Sequence, residues 1–288
     1  MGKKLKQALN SEPNKTVKIA EMLDYNVVVQ RGPTLDSVVE EARKYFIHES
    51  DEAAVDVEKT LKESGAEIVI NYLPTGSDKA TYAYAEASLK AGCSFINCMP
   101  TPIAKDTKMR ESFEKAGVVL MGDDIKSQCG ATIANRFLLT LFKMRGIKVA
   151  KSDQVNYGGN ADHFNLHYRP QAKEESKQAA LNSVLGKNDS KPTAKMIYTE
   201  KNYDHKQAKI KIKGEMFGRI PVSLGLTLED EDSPNSGGVV MDAIRATRLL
   251  VDRKKPKEAK MLCSFLMKFP PQQLTDSEAL AKFNEVIG

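Results

Sequence analysis

Residues 66–122 read AEIVINYLPTGSDKATYAYAEASLKAGCSFINCMPTPIAKDTKMRESFEKAGVVLMG, and short apolar runs alternate there with amphipathic segments. The successive segments are residues 67–73, 78–91, 94–97, 105–116 and 118–121. Apolar runs of this length predict strands, and the amphipathic segments between them predict helices. Ser77 and Asp106 stand where helix N-caps belong, and Gly92 and Gly117 stand where helices end. This order of elements predicts a doubly wound parallel sheet.

The pattern changes after residue 128. We expect a helix over residues 129–145, a strand over 147–156, a helix over 173–185 and β-rich stretches near 196–199, 206–213 and 221–228. Strands that follow one another predict a mixed or antiparallel sheet. A helix over 236–253, a strand-like run at 262–266 and a helix from Asp276 complete the chain. The expected fold is α/β, with residues 1–131 and 236–288 in a partial doubly wound domain and residues 132–235 in an inserted α+β domain.

The composition excludes two classes of protein. The chain has 288 residues and a net charge of +5, but its lysines alternate with acids, it has no Trp, and aromatics make up 7%. A nucleic-acid-binding surface needs a concentrated basic stripe with stacking aromatics, so no nucleic-acid partner is expected. No apolar run reaches the ~20 residues of a membrane span, so no membrane partner is expected either. The four cysteines, Cys93, Cys98, Cys129 and Cys263, lack paired metal spacing, and they favour a reducing cytoplasm.

The first expected strand, at residues 26–30, runs into Arg31-Gly32-Pro33, and no G-x-G-x-x-G occurs in the chain. A dinucleotide fold normally opens with a strand, a Gly-rich turn and a helix. We therefore expect the chain to begin partway into its fold. Because that turn supplies backbone amides to a pyrophosphate, a dinucleotide is expected to bind weakly and less well than a sugar phosphate.

Three motifs carry the chemistry, at residues 122–132, 158–162 and 173–177. Glycines allow close backbone approach, amides and ammoniums suit a phosphate, and carboxylates suit sugar hydroxyls or proton transfer. Together the motifs predict a site for a phosphorylated polyol beside a nucleotide site. Asp123 and Asp124 follow a parallel strand at its carboxyl end, where α/β sheets bind ligands, although one of them would also suit a helix N-cap.

Two of these motifs have alternative interpretations. Lys173 and Lys177 are four residues apart, so a helix places both ammoniums on one face, where their repulsion would lower a pKa. The alternative is a solvated helix face. Residues 158–160 form either a hairpin-type turn or backbone that lies close to a ligand. His163 and His167 have the spacing of metal ligands on a helix, but no third ligand is evident, so the metal stays unknown.

With these motifs in this order, the chain resembles the myo-inositol-phosphate synthase family in its shorter actinobacterial and archaeal form. The resemblance runs from about residue 27 to the C-terminus. Its motifs are residues 27–36, 72–77, 122–132, 158–162, 173–177, 232–236 and 266–268.

The resemblance implies roles for individual residues. The implied catalytic residues are Lys173, Lys177, Lys206, Lys268, Asp232 and Asp162. The implied cofactor-binding residues are Thr75, Gly76, Tyr84, Gly122, Asp123, Asp124, Ser127, Asp162 and Lys173. Lys268 would remove a proton at O5, Lys177 and Lys206 would stabilise the C5 oxyanion, and Lys173 would bind phosphate or O1. As a surface lysine, Lys206 is expected to contribute little to stability.

The resemblance also implies a function, namely NAD-dependent, redox-neutral cyclisation of D-glucose 6-phosphate to 1D-myo-inositol 3-phosphate in inositol and phospholipid biosynthesis. It implies a Rossmann-like NAD-binding domain, a catalytic and tetramerisation domain, a homotetramer, and a possible cation of unknown identity. The alternative is a truncated, catalytically silent homologue that binds sugar phosphates or forms oligomers. A further alternative is that the chain is a fragment of a full-length synthase.

Overall fold

A computed structural model describes residues 2–11, 16–45, 50–169, 171–186 and 189–288, without the side chains of residues 45 and 171–174. The first part of the chain holds three short helices, α1 (Leu5–Leu9), α2 (Glu40–Tyr45) and α3 (Val57–Ser64). The strand predicted at residues 26–30 is wrong, because Val28 forms only a single antiparallel bridge, to Lys4. Backbone hydrogen bonds on either side of the bridge join residues 27 and 29 to residues 2, 3 and 5, but this pairing does not extend over the whole of residues 26–30.

The central stretch forms a parallel sheet, as predicted. Its elements are β1 (Ile68–Asn71), α4 (Asp78–Ala91), β2 (Ser94–Asn97), α5 (Thr107–Ala116) and β3 (Leu120–Met121). The three strands lie in the order β1-β2-β3, and Ile96 pairs with both Ile70 and Met121. Asp106 caps α5 by accepting hydrogen bonds from two backbone N–H groups. Ser77 occupies the N-cap of α4, but its side chain makes no capping hydrogen bond.

A second sheet follows in the chain. Its elements are α6 (Ala131–Met144), β4 (Lys148–Gly158), α7 (Ala161–Tyr168), α8 (Gln171–Asn182), β5 (Thr193–Tyr198), β6 (His205–Glu215) and β7 (Pro221–Glu231). The strand order is β5-β4-β6-β7, in which β4 and β5 are parallel and the other pairs are antiparallel. The sheet is therefore mixed, as strands in succession predict.

Three helices complete the chain: α9 (Asp232–Asp252), α10 (Ala259–Leu266) and α11 (Asp276–Ile287). The strand predicted at residues 262–266 is wrong. Ala259, Leu262, Cys263 and Leu266 are all buried, and their spacing of three and four residues is that of one helix face. α9 begins four residues earlier than predicted, because a proline is tolerated in the first turn, where its missing N–H has no helical partner.

The parallel sheet is covered on both faces. Ile96 and Met121 pack against α9, α10 and α11, whereas Phe95, next to Ile96 in β2, packs against Phe113 of α5. Successive side chains of a strand point to opposite faces, so β2 contributes to both cores. A third core lies between the four-stranded sheet and the helices α6 and α8. None of the helices in the described part of the chain has the length and apolar character needed to cross a bilayer.

Candidate active site

The loop after β3 lies at the carboxyl end of the parallel sheet and carries two buried carboxylates. Asp123 accepts hydrogen bonds from Asn97 Nδ2 at 2.7 Å and from the backbone N–H of Ala104 at 3.1 Å. Burial raises the pKa of Asp123 to about 8, although these donors oppose the rise. The hydrogen bonds of Asp123 therefore link the segment after β3 to the end of β2 and the loop that follows it. Neither Asp123 nor Asp124 caps α6, whose N-cap residue is Gly130.

Asp124 joins three segments that are far apart in sequence. Its backbone has a φ of 59°, in the left-handed region, which Asp tolerates better than most residues. Its carboxylate accepts a hydrogen bond from Ser176 Oγ at 2.6 Å, and it lies 3.1 Å from Lys268 Nζ. Ser176 belongs to α8, and Lys268 follows α10. The carboxylate therefore fixes Lys268 in place.

A cavity of about 60 Å³ beside this loop brings together basic side chains from four parts of the chain. Its lysines are Lys126, Lys177, Lys206 and Lys268, and we call it the lysine cavity. Asp162, Asp232 and Ser127 also line it. The structure thus places five of the six predicted catalytic residues around one cavity. The side chain of the sixth, Lys173, lies outside the described residues, and the catalytic role of each stays a prediction.

Lys206 is buried between two carboxylates. Its Nζ donates a hydrogen bond to Asp232 Oδ1 and lies 3.4 Å from Asp230 Oδ1. Burial lowers the pKa of Lys206, but the two carboxylates outweigh burial and leave the pKa raised. Lys206 is therefore a fixed cation rather than a proton acceptor. Its burial also contradicts the expectation of a surface lysine that contributes little to stability.

Lys126 lines the cavity but was not predicted from the sequence. Its Nζ donates to the backbone oxygen of Ser264 at 3.0 Å and lies 3.6 Å from Asp276 Oδ1. Burial, together with nearby Arg136, lowers the pKa of Lys126 to about 8 against the opposing effect of Asp276. The available sequence signal was that Lys126 lies two residues after Asp124, within the motif at residues 122–132.

His163 also lines the cavity, although the sequence drew attention to it only as a possible metal ligand. Asn160 caps α7 by accepting the His163 backbone N–H at 2.9 Å. β4 ends at Gly158 and α7 begins at Ala161, so residues 158–160 connect a strand to a helix, and their interpretation as a hairpin-type turn is wrong. For a place in this cavity, the available sequence signal was that His163 is adjacent to Asp162.

A larger cleft of about 480 Å³ adjoins the lysine cavity. The two share the lining residues Ser127, Asp162, Asp232 and Lys268. The cleft is also lined by Met99 and Ile125, from loops at the carboxyl ends of β2 and β3, and by Val39 and Phe164. A ligand with an apolar ring in the cleft would therefore reach the ammonium of Lys268.

The remaining predicted cofactor-binding residues lie in different places. Pro74 and Ser77 line the cleft, whereas Thr75, between them, is buried and accepts a hydrogen bond on its backbone oxygen from Asn165. Gly76 has a φ of 91°. A Cβ at Gly122 would lie 3.1–3.2 Å from the Cβ atoms of Ala104 and Asn97, so Gly122 is tightly packed.

Tyr84 lies apart from these residues. It lines a groove of about 240 Å³ with Pro33 and Asp56, and its hydroxyl lies against Gly32. Tyr84 is not among the residues that line the lysine cavity or the cleft.

No metal centre is apparent in the part of the chain that the structure describes, where no three His, Cys, Asp or Glu side chains are grouped to hold an ion. His163 is buried and His167, on the same helix, is exposed. One histidine therefore faces the interior and the other faces solvent, unlike a pair that shares one metal ion.

The fold and the site define a class of protein: an α/β protein with a Rossmann-like parallel sheet and a cationic pocket at the carboxyl ends of its strands. Residues 130–233 match the family model described as myo-inositol-1-phosphate synthase. The chain is 39% identical to the inositol-3-phosphate synthase of Mycolicibacterium smegmatis, over 100% of this chain and 81% of the relative. It is 37% identical to the inositol-3-phosphate synthase of Corynebacterium glutamicum, over 100% and 82%.

Among solved structures, the crystal structure of Ari2 is similar to 99% of this chain with a TM-score of 0.75, at 31% identity and over 79% of that chain. The chain therefore belongs to the myo-inositol-phosphate synthase family of enzymes.

Proposed function

We propose that this chain catalyses the NAD-dependent, redox-neutral cyclisation of D-glucose 6-phosphate to 1D-myo-inositol 3-phosphate. The observation that carries the proposal is the convergence of four lysines and two carboxylates on one cavity that adjoins the cleft. Several preorganised ammoniums suit both a phosphate and a developing oxyanion in a site of restricted water access. The names of the relatives support the same activity.

Part of NAD fits the cleft by size and by chemistry. Met99, Ile125 and Phe164 offer apolar contact for a ring, and Ser233 and Asn165 offer hydrogen bonds. When bound, NAD would take up a hydride from the sugar and return it, so that the cyclisation has no net redox change. The residues lining the cleft would orient it beside Lys268.

The lysines have separable roles in this proposal. Lys206 stays charged between its carboxylates, which suits stabilisation of an oxyanion at C5, with Lys177 as its neighbour in the cavity. Lys268 lines both the cavity and the cleft, and this position suits proton removal at O5. Lys173 would bind phosphate or O1.

The proposal extends to domain organisation. Residues 1–131 with 236–288 would form the NAD-binding domain, and residues 132–235 the catalytic and tetramerisation domain. The packing of α9 to α11 on the parallel sheet supports this division, although both boundaries fall at or inside helices, α6 and α9. We also place the enzyme in inositol and phospholipid synthesis in the cytoplasm, a setting that suits its four free thiols.

A homotetramer belongs to the same proposal. β7 is an edge strand of its sheet, and Phe217, in the turn before β7, is 98% exposed. An open edge beside exposed apolar surface favours association with another copy. Light scattering at micromolar concentration should report four copies, and a monomer would contradict this part of the proposal.

Incubation of the chain with D-glucose 6-phosphate and NAD tests the reaction. We expect inositol phosphate to accumulate without net NADH. Binding of glucose 6-phosphate without product would favour the catalytically silent alternative, and calorimetry with NAD alone would test the predicted weak binding of the cofactor.

A further inference from the structure

His163 has a buried side chain, and only one of its two ring nitrogens has a hydrogen-bond partner among the described residues. The residue is 2% exposed and lines the lysine cavity. Its Nδ1 lies 3.0 Å from Asn160 Oδ1, whereas its Nε2 is buried and makes no hydrogen bond to any residue that the structure describes. Since buried polar atoms are nearly always paired in native proteins, this nitrogen points to a ligand.

The surroundings of Asn160 determine which ring nitrogen carries the hydrogen. The amide nitrogen Nδ2 of Asn160 donates to Asp204 Oδ1 at 3.1 Å and to Asp232 Oδ2 at 3.3 Å. These carboxylates orient the amide so that its oxygen faces His163, where it also accepts the backbone N–H. An amide oxygen only accepts hydrogen bonds, so Nδ1 carries the hydrogen and Nε2 presents a lone pair.

The imidazole stays neutral at ordinary pH. Burial lowers the pKa of His163 to about 4, and the nearby ammoniums of Lys177 and Lys206 add to the effect. The carboxylates of Asp232 and Asp162 oppose it without reversing it. The lone pair of Nε2 is therefore available across the neutral range.

The ring is also held in position. A Cβ at Gly158 would lie 2.6 Å from both Cε1 and Nε2 of His163. The ring therefore packs directly on the end of β4, in space that any larger residue at position 158 would occupy. A fixed acceptor of this kind costs little entropy when it binds a ligand.

We propose that His163 Nε2 accepts a hydrogen bond from one hydroxyl of the sugar phosphate, and that His163 is a specificity-determining residue of the site. The inference rests on the proposed function. The lysines of the cavity only donate, so they bind a phosphate oxygen and a hydroxyl oxygen alike. Nε2 requires a hydrogen from the ligand, which a sugar hydroxyl has and the dianionic phosphate ester group lacks. His163 therefore distinguishes a sugar phosphate from an oxyanion that carries no hydrogen, such as sulfate.

Calorimetry on the full chain with His163→Asn tests the proposal. Asn retains a polar group near the position of Nδ1 and has no atom at the position of Nε2. We expect binding of glucose 6-phosphate to weaken about tenfold, the effect of losing one well-placed hydrogen bond, and binding of sulfate, which has no hydrogen at neutral pH, to be unchanged. The matched control is His167→Asn, an exposed histidine on the same helix, which should bind both probes as the wild type does.

The monodeoxy analogues of glucose 6-phosphate identify the hydroxyl. One analogue should bind the wild type and His163→Asn equally, because it lacks the group that Nε2 accepts. Equal affinities of the two proteins for every probe would overturn the inference, and so would an equal loss for every probe, sulfate included. If the wild type binds no sugar phosphate, the proposed function fails together with the inference.

A second measurement requires no substitution at His163. In the wild type labelled with ¹⁵N-histidine, the Nε2 resonance of His163 should shift on addition of glucose 6-phosphate. Sulfate should leave this resonance in place. A resonance that does not respond to the sugar phosphate at saturation would contradict the proposal even if His163→Asn failed to fold.

Discussion

Arg136 Nε lies 2.7 Å from Asp276 Oδ2, although the two residues are 140 positions apart in the chain. Arg136, in α6, is 1% exposed and also donates to the backbone oxygens of Ala180 and Leu274. The other oxygen of Asp276 lies 3.6 Å from Lys126 Nζ. The N-terminus of α11 is thereby joined to two side chains that line the lysine cavity.

Asp276→Asn should destabilise the protein by about 3 kcal/mol, because the buried guanidinium of Arg136 loses its counter-charge. Guanidinium chloride unfolding measures the change. Lys282→Gln, in the exposed pair with Glu285 on the same helix, is the control and should leave the midpoint unchanged. An Asp276→Asn variant as stable as the wild type would show that the ion pair contributes nothing.

Lys206→Met should reduce the proposed cyclase activity by about 100-fold or more, because an oxyanion loses a preorganised donor. It should also lower stability, since Asp230 and Asp232 would face each other without a cation. Lys211→Met is the control, because Lys211 is exposed on the same strand. Formation of inositol phosphate and the unfolding midpoint are the two measurements, and unchanged turnover would contradict the role of Lys206.

Lys126→Met should alter how stability depends on pH. The folded pKa of Lys126 is about 8, below its ordinary 10.5. Between these values the unfolded chain holds a proton that the folded chain lacks, so this group makes the wild type more stable as pH rises. The stability of the wild type should therefore increase relative to Lys126→Met from pH 8 to pH 10. Unfolding free energies across this range measure it, and exposed Lys143→Met should show no such trend.

Gly158→Ala should displace the ring of His163, because the new methyl group would lie 2.6 Å from it. We expect a loss of about 1–3 kcal/mol in stability from overpacking, together with weaker binding of glucose 6-phosphate. Gly225→Ala, in β7 of the same sheet, is the control, since its Cβ has no neighbour nearer than 3.9 Å. Equal behaviour of the two variants would mean that Gly158 places no constraint on the ring.

The parallel sheet could be predicted because its signals are local. α4 ends at Gly92 and β2 spans residues 94–97, as the apolar pattern and the glycine predict. α10 could not be separated from a strand, because a short apolar run fits either structure until its partners are known. Residues 26–30 have the composition of a strand, but their pairing with residues 2–5 is too short to form a regular one.

The site could be predicted only in part, because the sequence does not reveal which side chains become buried or which partners they meet. The family resemblance indicated the lysines at 177, 206 and 268, but it gave no role to Lys126 or His163. Both acquire their properties from residues distant in sequence, such as Ser264 and Asp276 for Lys126. The state of charge of a lysine likewise depends on partners that spacing does not reveal, as the opposite pKa shifts of Lys126 and Lys206 illustrate.

α9 has a mechanical consequence. Its first residue, Asp232, holds Lys206 of the four-stranded sheet, and its later turns pack through Ala243 and Leu250 on the parallel sheet. Over 21 residues the helix is a rod about 30 Å long. Rotation of one sheet against the other would therefore bend this rod or pull Asp232 away from Lys206. The stiffness of α9 thus keeps the ammonium of Lys206 at a fixed position relative to the cleft.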